Sequence, residues 1–332
     1  MTVPRLVSTR LSARLFWPLL LALLAAAMLL AACGDEDTPS EANPFSTPGI
    51  SGTLTATPAA FPRTVTDSSN TKVTIPAAPK RIVSLSPAAT EILFAVGAGD
   101  RVVGSDKFSN YPDAAQKTAK LDYSKPDPEA ALALNPDLVI MATRQKQQVQ
   151  QFRDLQMNVL YIEEAKSVEG VYDSIAMFGE LTGQDQEAQQ IVATMKQRIG
   201  AVTSKLSGVS KGPRVFYEVT TDLYTAAPDT FIGSMLSMLK AENIAAGAKT
   251  QFPQLTAEAV ISADPEVVLL ADAKFTNENA DTVAARPGWS NVSAVKSKRI
   301  YAIDDDIASR PGPRIVEAIE AIAKALYPGQ FR

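Results

Sequence analysis

One stretch of this chain is written twice. Pro128-Glu129-Ala130 followed by Asn135-Pro136-Asp137-Leu138-Val139-Ile140 is matched by Ala257-Glu258-Ala259 followed by Asp264-Pro265-Glu266-Val267-Val268-Leu269. The copies are offset by 129 residues, and in each the glutamate stands seven residues before the proline. A short helical start, an Asx-Pro stop and an apolar run of strand length are the parts of one α/β unit. A chain carrying that unit twice folds most simply as two similar lobes, with Glu129 and Glu258 at equivalent positions.

The flanking segments extend the pattern. Two short strands about a polar turn are expected over 63–76, a buried strand at 81–85, and a helix from Ser86-Pro87 stopped by glycine. Strand 101–104, helix 129–134, strand 137–141, helix 145–156 and strand 159–162 follow. The alternation resumes with strand 213–219, helices 231–240 and 257–262, strands 266–271 and 299–303, and helix 315–325. Alternating strands and helices predict an α/β class with mainly parallel sheets covered on both faces. Between the halves, Ala188, Ile191, Val192, Met195, Ile199, Val202 and Leu206 fall on one helical stripe, which predicts a single long helix over 187–206. Gly97, Gly99 and Gly104 lack the spacing and the following acid of a dinucleotide site and read as a helix stop and a turn.

The beginning of the chain reads differently. Arg5, Arg10 and Arg14 precede a 16-residue apolar run, Leu15 to Leu30, which ends at Ala31-Ala32-Cys33. Cys33 is the sole cysteine. This is the layout of a lipoprotein signal peptide over 1–32, after which Cys33 is lipidated and becomes the first mature residue. Residues 33–62, rich in Pro, Ser, Thr and Gly, predict a disordered stalk. The expected layout is then a lobe at 63–183, a connecting helix at 184–208 and a second lobe at 209–332, held outside the cell membrane by a lipid anchor.

Composition removes several functions. The chain has no histidine, so Ser-His-Asp and Cys-His catalysis and His-based metal sites are excluded. One cysteine forbids an intramolecular disulfide. Loss of residues 1–32 takes the formal net charge from −4 to −7, with no basic patch for nucleic acid. Asp304-Asp305-Asp306 reads as a solvated loop rather than a metal site. No catalytic residue and no metal ligand is assigned.

RIVSLSPAATEILFAVGAGDRVVGSDKFSNYP (81–112), DPEAALALNPDLVI (127–140) and RPGPRIVEAIEAIA (310–323) resemble the helical-backbone solute-binding proteins of bacterial ABC importers for cobalamin, ferric siderophores and haem. The likeness covers about residues 63–328 and is strongest to the cobalamin-binding branch, through SPAATE and SNYP. It implies two Rossmann-like lobes joined by one long helix, with a ligand cleft between them. It also implies a monomeric receptor, not an enzyme, that passes a metal chelate to an ABC permease and its ATPase and needs no cofactor of its own. Glu129 and Glu258 match the acidic knobs by which the family docks onto permease arginines.

Open α/β sheets bind ligands beyond the carboxyl ends of their strands. The candidates there are Phe108, Tyr111, Tyr123, Arg144, Tyr224, Phe252 and Arg310. Of these, Tyr123, Tyr224 and Phe252 align with aromatic ligand contacts of the cobalamin branch. Broad aromatic faces suit a corrin or a haem. The chain departs from that branch at Ala142-Thr143-Arg144, where the branch carries tryptophan, and neither Trp17 nor Trp289 replaces it. Arg144, Arg286 and Arg310 would suit an anionic ferric siderophore instead. Haem would need a tyrosine or methionine ligand. A surface adaptor that keeps the fold without transport is the remaining alternative.

Overall fold

The computed structural model describes residues 60–331. The expected signal peptide, Cys33 and nearly all of the expected stalk lie outside the described residues.

The first described elements are an antiparallel hairpin, β1 (Arg63–Thr66) and β2 (Lys72–Ile75). Its turn is organised by Asp67, whose side chain is wholly buried. The carboxylate accepts the N–H groups of Ser69 (2.8 Å), Thr71 (2.9 Å) and Tyr161 (3.3 Å) and the guanidinium of Arg153 (2.5 Å). Burial alone would raise its pKa, but the hydrogen bonds outweigh burial and hold it below the usual carboxylate value. Asp67→Asn is therefore expected to cost about 2 kcal/mol at pH 7. Because the folded pKa is depressed, this stabilisation is present above the unfolded value of about 4 and fades as pH falls through the folded one. Urea unfolding at pH 7 and at successively lower pH values below 4 checks both the deficit and its decline.

The first lobe then alternates β3 (Ile82–Ser84), α1 (Pro87–Ala95), β4 (Val102–Asp106), α2 (Asp113–Gln116), β5 (Ala119–Leu121), α3 (Pro128–Leu132), β6 (Leu138–Met141), α4 (Val149–Asp154) and β7 (Val159–Tyr161). Its five strands are all parallel, in the order β5-β4-β3-β6-β7. The helix expected over 145–156 is a 3-10 turn at Thr143–Gln148 followed by α4. Gln145 tightens that turn, because its buried side chain accepts the N–H of Ala142 (2.9 Å) and donates to the carbonyl of Tyr123 (2.6 Å).

Two helices follow, α5 (Val168–Thr182) and α6 (Asp185–Lys205). The expected stripe is present on α6, where Ala188, Ile191, Met195, Ile199 and Val202 are buried. Its partner α5 is a 15-residue helix absent from the sequence reading. A Cβ at Gly179 would come 2.4 Å from that of Ala188, so glycine permits the close approach of the pair.

The second lobe runs β8 (Arg214–Thr220), β9 (Tyr224–Thr225), α7 (Phe231–Met238), β10 (Glu242–Asn243), α8 (Ala257–Ala263), β11 (Val267–Leu270), α9 (Ala280–Ala284), α10 (Ser293–Lys296), β12 (Ile300–Ala302), α11 (Asp305–Ala308) and α12 (Ile315–Leu326). Its parallel strands are ordered β10-β8-β11-β12, with β9 antiparallel on β8. One apolar core continues from Ile82 and Ile140 of the first sheet through α5, α6 and α12 to Val215 and Leu269 of the second.

The written repeat is also a structural one. Glu129 and Glu258 are each the second residue of their helix, and Asn135 (φ 47°) and Asp264 (φ 45°) turn left-handed before the proline. Ile82 then pairs with Leu138 as Val215 pairs with Val267. Arg81 donates to the carbonyls of Leu134 and Asn135, and Arg214 donates to those of Ala263 and Asp264. Asp137 and Glu266 accept the backbone N–H of the same two arginines. Each lobe thus closes the turn after its acidic helix with an arginine, Arg81 just before β3 and Arg214 at the start of β8.

Candidate functional site

A cavity of about 460 Å³ lies between the lobes. Its walls are the segments that follow strand ends: Pro87 and Ala88 after β3, Phe108 after β4, Tyr123 after β5, Glu164 after β7, Phe275 after β11, and Asp305 to Pro311 after β12. Each lobe therefore offers the carboxyl end of its sheet to the same space.

Phe108 and Tyr123 meet edge to face, with ring centroids 5.3 Å apart at 88°. Phe108 is held by Asp106, a fully buried carboxylate that accepts the N–H of Phe108 (2.8 Å) and the hydroxyl of Ser109 (2.5 Å). Burial pushes the pKa of Asp106 up, against those bonds and the charge of Lys120. Lys120 braces the loop through Ser105 Oγ (2.8 Å) and the carbonyls of Ser109 (2.7 Å) and Ala115 (2.9 Å). Tyr123 is fixed by Gln145 through its carbonyl, and burial pushes its phenol pKa up, with Glu164 adding to the shift. Across the cleft Phe275 is 70% exposed, the most exposed of the described large apolar side chains.

The other candidates are placed as follows. Arg310 lines the cavity but is already bonded, to Asp306 on its own helical turn and through Nη1 to Oδ1 of Asn110 (2.6 Å) in the opposite lobe. Tyr111 does not line the cavity and lies under Arg314, whose guanidinium sits 3.6 Å from the ring centroid. Arg314 in turn bonds the buried Glu91 of α1 at 2.7 Å. Arg144 is exposed, 3.4 Å from Ser124 Oγ, and does not line the cavity. Tyr224 and Phe252 are exposed on adjoining segments beyond β8, where Ala227 N–H reaches the carbonyl of Gln251, and they do not line this cavity.

Arg286 is gripped by both oxygens of the buried Glu218 (2.6 Å each) and by Glu278 (2.9 Å), and it packs on Trp289 at 4.8 Å. These partners leave no basic floor of the kind Arg144, Arg286 and Arg310 would make together.

The expectation of a solvated loop at Asp304-Asp305-Asp306 is corrected. Asp304 caps α11, Asp305 enters the cleft, and Asp306 binds Lys274 (2.5 Å), Asn110 (3.2 Å) and Arg310. Among the described residues, no cluster of three or more His, Cys, Asp or Glu is arranged for a metal ion. Glu164 and Phe275 were absent from the sequence reading, and Asp305 entered it only as part of a solvated loop. Phe275 and Asp305 follow strands that the sequence does reveal, so the strand-end rule applied to every loop would have reached them.

Glu129 and Glu258 are exposed, away from the cavity lining. The pKa of Glu258 is held low by its own backbone N–H and by the Thr256 hydroxyl, so it is charged at neutral pH.

Residues 82–307 match the protein family described as periplasmic binding protein. The chain is 35% identical over 319 residues to an uncharacterized ABC transporter substrate-binding lipoprotein of Bacillus subtilis, spanning 94% of this chain and 97% of that one. It is 34% identical over 277 residues to a cobalamin-binding protein of Halobacterium salinarum, spanning 80% and 74% respectively. Among solved structures, a periplasmic heme-binding protein from Roseiflexus sp. RS-1 in apo form superposes with a TM-score of 0.68 at 28% identity, over 76% of this chain and 99% of that one.

Proposed function

The chain belongs to the periplasmic binding protein family as the substrate-binding component of an ABC importer, and from that premise we propose that its cleft captures cobalamin or a related corrinoid. The observation that carries the ligand class is the wall of Phe108, Tyr123 and Phe275, in a cleft whose one arginine is already bonded. Aromatic faces bind a broad, flat, weakly charged macrocycle, whereas an anionic siderophore needs free cations. The likeness to a cobalamin-binding protein over most of the chain supports the same reading. Cys33 is the proposed lipid anchor, supported by the lipoprotein relative, and the proposed work is extracytoplasmic. Glu129 and Glu258 are the proposed contacts to the permease that passes the ligand on at the expense of its ATPase.

Calorimetric titration of the purified chain with cyanocobalamin, beside haemin and a ferric siderophore panel, tests the ligand. Micromolar or tighter cobalamin binding is expected, and replacing Phe108 and Tyr123 together with alanine is expected to weaken it about 10- to 100-fold. Binding of haemin or siderophores alone would keep the receptor and remove the corrinoid. Silence towards every chelate would favour the adaptor.

A further inference from the structure

Four charged side chains line the cleft: Glu164 from the first lobe, and Asp305, Asp306 and Arg310 from the second. Asp306 and Arg310 neutralise each other, and Lys274 and Asn110 complete their bonding. Glu164 and Asp305 are different. Among the described residues no lysine or arginine forms an ion pair with either, although both face the cavity from opposite lobes. Among the described residues the titratable neighbours of Glu164 are Asp106, Tyr123 and Tyr161, none of them a cation. Asp305 has Asp304, Asp306, Arg310 and the buried Tyr217, and the Ser309 hydroxyl donates to its backbone carbonyl at 2.7 Å. The uncommitted surface of the cleft is thus rich in acceptors and net negative.

We infer that Glu164 and Asp305 are specificity-determining residues that admit chelates presenting amide N–H donors or positive charge and reject those presenting carboxylates. The inference rests on the reading of this cleft as the ligand site and adds a rule for which ligands pass. A corrin ring bearing primary amides offers two N–H donors at each amide to four acceptor oxygens. The same ring with amides hydrolysed to carboxylates meets like charge from both walls. Glu164 is exposed and Asp305 half-buried, and the surrounding protein pushes both pKa values up, so each carboxylate is a stronger acceptor than a free acid.

The test uses two matched ligand pairs, so that the charge rule is judged within a pair and the ligand class between pairs. The pairs are cyanocobalamin with its tricarboxylate, and haemin dimethyl ester with haemin. In titrations at pH 7.5 and low salt, the acid form of the bound pair is expected to bind about 10-fold or more weakly than its neutral partner, as two like-charge contacts across a partly hydrated cleft require. The double variant Glu164→Gln with Asp305→Asn is expected to shrink that ratio to about 3-fold or less, with unchanged thermal unfolding. Should the variant fail to fold, the salt dependence of the wild-type ratio serves instead, since screening at 0.5 M is expected to close most of the gap. Equal affinity within the bound pair, or a ratio unmoved by both neutralisation and salt, would overturn the rule and leave the corrinoid reading intact. Binding of the haem pair alone, with the ratio present, would overturn the corrinoid and keep the rule. Binding of neither pair would overturn both.

Discussion

Replacing Glu129 and Glu258 together with alanine is expected to abolish ligand-stimulated ATP hydrolysis and uptake by the reconstituted importer while leaving ligand affinity unchanged. The two carboxylates are exposed at the second positions of equivalent short helices. They are remote from the cavity lining and make no ion pair among the described residues, so the fold does not depend on them. Their proposed value lies in association: two charges on separate lobes would fix the orientation of an encounter, where one fixes only proximity. Each single variant should weaken docking about 10-fold and the pair about 100-fold, since independent contacts multiply in the equilibrium constant. Transport that survives the double change would remove the docking assignment. A parallel loss of ligand affinity would place these glutamates in the cleft instead.

The second large effect is expected at Glu91. Its carboxylate is 3% exposed and receives Nη2 of Arg314 at 2.7 Å and the Arg314 N–H at 3.3 Å, while the guanidinium lies over Tyr111. Glu91→Ala would leave a mostly buried guanidinium between the lobes without its counter-charge. Breaking such a pair from one side costs about 3 to 5 kcal/mol. For a folded region of this size that corresponds to a fall in Tm of about 10 °C, readable by calorimetry. Glu91→Ala with Arg314→Met should recover much of the loss, because the stranded charge goes with its partner. If the double variant is no better than the single, the cost arises from the cavity left by the side chain and not from the charge.

The lobes were legible because their repeat is punctuated: Asn135-Pro136 and Asp264-Pro265 force the same left-handed stop before the same strand. The arginines that cap those helices, Arg81 and Arg214, were not, since their offset from one another differs from that of the glutamates and their partners are backbone carbonyls. The helix α5 carried its signals, Ser167 at its start and Gly183 at its end. Two internal glycines and several β-branched residues lowered its intrinsic helical signal, and packing against α6 overrides that deficit. In the cleft, Phe108, Tyr123 and Arg310 followed from strand-end reasoning. That Arg310 would be bonded to Asn110, 200 residues away in the other lobe, belongs to tertiary structure alone, as does the convergence of Glu164 and Asp305.

The apolar core that runs unbroken through α5, α6 and α12 has a consequence for traffic at the membrane. A close-packed spine resists wide hinging, so the spacing of Glu129 and Glu258 changes little when the cleft fills. A permease that reads that spacing gains little differential affinity for a loaded receptor over an empty one. On the proposed docking through Glu129 and Glu258, empty receptors would occupy the same landing place and compete with loaded ones. Uptake would then follow the loaded fraction of the receptor population, and overproducing the receptor at scarce ligand is expected to slow import instead of hastening it.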